Sequence, residues 1–77
     1  MENTVDVELD LSGLTCPMPL LKTKQSLNKM AAGQVVKVIA TDPGSERDFQ
    51  VFAQQSGNRL LEFEKDDDQF RYWIQKS

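Results

Sequence analysis

The sequence predicts an α+β chain of order βαβαββ, folded as a two-layer α/β sandwich with both helices on one face of a mixed four-stranded sheet. Three observations carry that prediction. The first apolar segment alternates strictly with acidic residues, so only one face of that strand is covered. Two further segments repeat their apolar residues at helical spacing, and each needs something to cover it. With 77 residues there is material for one domain and one small core, which both helices must share.

The elements follow in order. Val5, Val7, Leu9 and Leu11 alternate with Asp6, Glu8 and Asp10, a strand with one wet face. Ser12-Gly13-Leu14-Thr15 is a turn. The first helix places Leu20, Leu27, Met30 and Ala31 on one side, with Thr23 or Lys24 filling the missing turn and Gly33 ending it as the C′ residue. Residues 35–40, VVKVIA, are β-branched and mostly apolar, which suits a strand covered on much of both faces. Asp42-Pro43-Gly44 breaks that strand, and Ser45-Glu46-Arg47-Asp48 has the S-x-x-D form of a capping box. Phe49, Phe52, Ala53 and Ser56 follow at helical spacing until Gly57-Asn58. Leu61 and Phe63 alternate with Glu62 and Glu64 in a third strand. Asp66-Asp67-Asp68 reads as a solvated hairpin turn, and Phe70, Tyr72 and Ile74 alternate with Arg71, Trp73 and Gln75 in the fourth. A right-handed first crossover starts both helices near the same edge of the sheet, and so brings the loop 41–44 to the turn around Cys16.

Composition narrows the chemistry. Hydrophobic residues at 39 % and charged residues at 27 % describe an ordinary globular domain, and the apolar runs are too short to span a membrane. Met1-Glu2-Asn3-Thr4 lacks the basic-then-apolar pattern of a signal peptide, so a cytoplasmic location is the default expectation. The absence of histidine removes the commonest general base and metal ligand, and with one cysteine it leaves no zinc or iron–sulfur site and no Cys–His hydrolase. No cofactor is called for. The net charge is −3, but no acid lies between Leu11 and Thr41, where Lys22, Lys24, Lys29 and Lys37 make a positive island. That island is either a solvated helix face or a field that stabilises a thiolate and docks an acidic partner. The acidic balance of the whole chain argues against direct nucleic-acid binding.

The single cysteine, Cys16, stands directly before Pro17-Met18-Pro19. With Cys16 as N-cap, Pro17 falls at N1 and Pro19 at N3, where a missing N–H has no helical partner to lose. The two prolines then shape the helix start and fix where the sulfur points. The positive end of the helix favours the thiolate, although Met18 alone among the first three helical residues has an N–H to offer. A partly ionised thiol is expected, nucleophilic and also able to leave. The same cysteine also reads as a small buried hydrophobe, or as a redox switch lacking a resolving partner.

Gly13-Leu14-Thr15-Cys16-Pro17-Met18-Pro19 resembles the G-x-x-C-P-x-P signature of the TusA/SirA-like family of small sulfur carriers, and the likeness extends to "ATDPGSERDF" at residues 40–49 and to the closing hairpin. The resemblance implies a two-layer α/β sandwich in which Cys16 carries sulfur as a persulfide. Gly13, Pro17 and Pro19 would shape the helix start around it. It implies a cysteine desulfurase or a rhodanese-type protein as donor and a further protein as acceptor, in tRNA 2-thiouridine formation, molybdenum-cofactor supply or sulfur oxidation. Lys22, Lys24, Asp42 and Arg47 are candidate docking residues, each of which also reads as an idle surface group. Asp42, if near the sulfur, opposes its ionisation and so fits docking better than activation. A monomer making transient contacts is expected. The rival reading is a regulatory or scaffolding module whose cysteine is redox-sensitive or structural.

Overall fold

The computed structural model describes residues 5–77; the expectation drawn from Met1-Glu2-Asn3-Thr4 lies outside them. The elements are β1 (Val7–Leu11), α1 (Met18–Asn28), β2 (Val35–Ala40), α2 (Ser45–Ser56), β3 (Arg59–Lys65) and β4 (Phe70–Gln75). The sheet order is β1-β2-β4-β3, with β1 parallel to β2 and the other two pairings antiparallel. The sheet is therefore mixed, and the chain has the predicted βαβαββ order.

The pleat decides what is buried. Val36, Val38 and Ala40 of β2 and Tyr72 and Ile74 of β4 are sealed from solvent, and their register partners Val7, Leu9 and Leu11 of β1 lie on the same side. Leu27 and Met30 from the α1 side and Phe49 from α2 close the same cluster, and the two helices also touch each other. One core thus serves both layers. Phe49 stacks on Tyr72 with ring centroids 4.3 Å apart, and Phe63 of β3 stacks on the same ring at 5.3 Å. On the opposite, solvated face Lys37 pairs with Glu8 at 3.6 Å and lies over the Trp73 ring, while Arg71 bridges Glu64 and Asp66.

Three local expectations are corrected and one open alternative is settled. The first helix stops at Asn28 with Lys29 as its C-cap, so Gly33 is not the C′ residue; it sits at φ 91° in a later turn, and Ala31 is exposed. Thr23, not Lys24, fills the missing turn: it is fully buried, its hydroxyl donating to the Pro19 carbonyl at 2.8 Å. Cover on both faces of β2 is incomplete, since Lys37 and Ile39 are only half-buried where no helix lies over them. In β3 a bulge between Leu60 and Glu62 leaves Leu61 without a register partner. Leu60 rather than Leu61 therefore shares the core face with Phe63. No helix among the described residues is long and apolar enough to cross a membrane.

Candidate functional site

The site forms where the β1–α1 turn meets the loop between β2 and α2. β1 and β2 run parallel and end together at Leu11 and Ala40, so the two connections that follow leave the same end of the sheet. Gly13, at φ 84°, occupies a backbone region open to glycine, and its N–H donates to the Thr41 hydroxyl at 2.8 Å. That bond ties the segment carrying Cys16 to the loop 41–44, as the crossover predicts.

Cys16 is exposed, in a turn closed by the Met18 N–H donating to the Thr15 carbonyl at 2.9 Å. Its bond to Pro17 is cis. The helix opens one residue later than expected: Pro17 is the N-cap, Met18 the first helical residue and Pro19 the second. Cys16 thus lies just outside the helix rather than capping it. Both prolines still shape the start. Pro17 places its carbonyl to accept from the Leu21 N–H at 3.1 Å, and Pro19 is buried against the core with its carbonyl held by Thr23.

The electrostatics also differ from expectation. The Cys16 thiol donates to Asp48 Oδ2 at 2.9 Å. That hydrogen bond is the main reason the thiol's pKa is raised, with smaller contributions from desolvation and from the negative charges of Asp48 and Asp42. The helix end favours a thiolate; the carboxylate of Asp48 instead raises the thiol's pKa. The physical reason is proximity: a carboxylate in contact with the sulfur outweighs a dipole whose first turn offers few N–H groups.

The capping box that the S-x-x-D pattern of Ser45-Glu46-Arg47-Asp48 predicts does not form: no side chain caps α2. Gly44 is the N-cap, and Ser45 is buried and shares a hydrogen with Tyr72 across 2.8 Å. The Asp48 carboxylate is thereby free to face Cys16. The signal was available only in combination: an acid in the first turn of the second helix, and two helices starting at one edge.

The remaining candidates divide. Asp42 is half-buried beside the site, with one carboxylate oxygen buried and lacking a hydrogen-bond partner. Lys24 and Arg47 line an open groove between the helices, together with Leu20, Val51 and Phe52, and Lys24 Nζ sits 5.6 Å over the Phe52 ring. Lys22 is exposed on α1 and outside that groove. Met18 and Leu21 are exposed apolar residues near the start of α1.

Comparison with known proteins bears on this geometry. The family model for sulfurtransferase TusA matches residues 7–76. The chain is 54 % identical over 72 residues to the sulfur carrier protein TusA of Allochromatium vinosum, covering 94 % of this chain and 95 % of that protein. It is 53 % identical over 78 residues to a putative sulfur carrier protein of Aquifex aeolicus, all of this chain matching 40 % of that longer one. Among solved structures, the SirA-like protein of Desulfitobacterium hafniense superposes with a TM-score of 0.78 at 30 % identity, over 90 % of this chain and 95 % of that one.

Proposed function

The chain belongs to the TusA/SirA-like family of small sulfur carriers, and from that premise we propose that Cys16 is the residue on which it carries sulfur, as a persulfide passed between two partner proteins. The observation that supports this reading most is the placement of Cys16: the chain's only cysteine, exposed, on a proline-stiffened turn held in place by the bonds of Gly13 and Asp48.

The step is a sulfur exchange without net oxidation. The Cys16 sulfur attacks the terminal sulfur of a donor persulfide, a new S–S bond forms at Cys16, and the donor's S–S bond breaks. Cys16–SH and donor–S–SH thus become Cys16–S–SH and donor–SH. Delivery repeats the exchange with an acceptor cysteine as the attacking group. The donor is a cysteine desulfurase or a rhodanese-type protein, and the acceptor a further protein in tRNA thiolation, molybdenum-cofactor supply or sulfur oxidation. The carrier acts as a monomer in a reducing, cytoplasmic setting, where a lone thiol stays free. Lys24 and Arg47, on the groove beside Asp48, are docking charges, with Lys22 of α1 and Asp42 of the loop 41–44 as further ones.

Intact mass after incubation with a cysteine desulfurase and cysteine, or a rhodanese and thiosulfate, tests the reading. Wild type should gain reductant-labile sulfur, and Cys16→Ser should gain none while melting within a few degrees of wild type, because the residue is exposed. A wild-type chain that gains no sulfur from either donor would overturn it.

A further inference from the structure

We infer that Asp48 is a positioning residue of this carrier: it latches the empty Cys16 thiol against α2 and releases the cysteine once sulfur is loaded. The inference rests on the persulfide reading above and adds to it a difference between the empty and the loaded states.

The argument begins with valence. An empty Cys16 has one S–H hydrogen, and it is directed to Asp48 Oδ2 at 2.9 Å. When sulfur arrives, Sγ is bonded to Cβ and to the new sulfur and has no hydrogen left to donate. The hydrogen, if kept, moves to the terminal sulfur. Persulfides are more acidic than thiols, so the terminal sulfur gives up its proton at a lower pH than the thiol does, and the carboxylates that oppose the thiolate then face an anion. Those carboxylates are Asp48 of α2 and Asp42 of the preceding loop, both of which already act on this cysteine. The first turn of α1 holds no acid, and Lys22, its first lysine, lies beyond that turn. Attraction in the empty state thus becomes repulsion in the loaded one, and the cargo is turned away from α2 toward solvent and an acceptor.

The position of Asp48 makes the contact durable. It is the fourth residue of α2, where a carboxylate is stabilised by the helix end, and its N–H donates to the Gly44 carbonyl at 3.3 Å. A latch on the emptied cysteine also gives delivery a direction. The thiolate left after transfer is reprotonated and held, so it is slow to attack the sulfur it has just handed over.

The test uses Asp48→Asn and Asp48→Ala, with Ser45→Ala as a control that perturbs α2 without touching the sulfur. Alkylation of the empty protein by iodoacetamide is followed from about pH 6 to about pH 10, and cyanolysis is followed on protein loaded with inorganic polysulfide. Asp48→Asn should move the alkylation profile to lower pH and raise the neutral rate by roughly threefold or more, with cyanolysis changed by less than about twofold. Ser45→Ala should leave the profile where it is. An unmoved profile in both Asp48 variants overturns the latch, and so does an equal change in both reactions, which would make Asp48 a bystander anion in either state. Wild type that takes sulfur from no donor protein ends the carrier reading and the latch with it, whereas a failed variant pattern in a wild type that loads overturns the latch alone.

Discussion

At the scale of single residues, Ser45 and Asp48 show how one turn of helix serves two ends. Ser45 points inward, its hydroxyl buried and shared with Tyr72 at 2.8 Å; Asp48, three residues on, points to Cys16. Tyr72 has no exposure at all and lies between the Phe49 and Phe63 rings. Removing its hydroxyl in Tyr72→Phe strands the Ser45 oxygen in the core and should cost about 1–3 kcal/mol in urea unfolding. Ser45→Ala should cost a comparable amount. The double variant should cost less than the two together, since neither partner is then left alone. Strict additivity would mean that the pair is not a unit.

At the scale of elements, the helix starts and the third strand carry most of what differs from simple pattern reading. α1 buries Pro19, Thr23 and Leu27 on one line, a stripe in which a proline and a threonine do work usually given to aliphatic residues. Pattern counting by hydrophobicity passes over both. In β3 the bulge at Leu61 shifts the alternation by one residue, so the side chain facing the core changes from Leu61 to Leu60. Leu60→Ser should therefore destabilise the protein by about 1 kcal/mol or more beyond Leu61→Ser, read as a difference in denaturation midpoint. Equal losses, or a larger loss at Leu61, would contradict the register. A bulge leaves no mark in composition, because both positions are leucine.

At the scale of the whole molecule, the last strand enters the middle of the sheet, between β2 and β3, and sets Tyr72 at the centre of the core. Burial pushes its phenol from 10 up to about 12. The sign follows from linkage. A group whose folded value is raised contributes stability that is fully present below its unfolded value and lost as pH rises toward the folded one. Thermal stability should thus fall between pH 10 and about 12, and in Tyr72→Phe that alkaline fall should be much shallower, as melting curves across that range would show. A slope of the same size in the variant would place the alkaline sensitivity elsewhere.

The order of elements, the polar and apolar faces of β1 and β4, the exposed cysteine and its proline-shaped turn are all determined by residues adjacent in sequence, through periods of 2 and 3.6 and through the rigid geometry of proline. Those patterns are set locally and are legible, whereas the place of the turn is fixed by longer-range bonds such as Gly13 N–H to the Thr41 hydroxyl. The tertiary structure alone decided which way the thiol's pKa moves. Cys16 and Asp48 are 32 residues apart, and the parallel pairing of β1 with β2 is what sets the two loops side by side. Whether a thiol is charged depends on the anion nearest to it, and at Cys16 that anion comes from another helix.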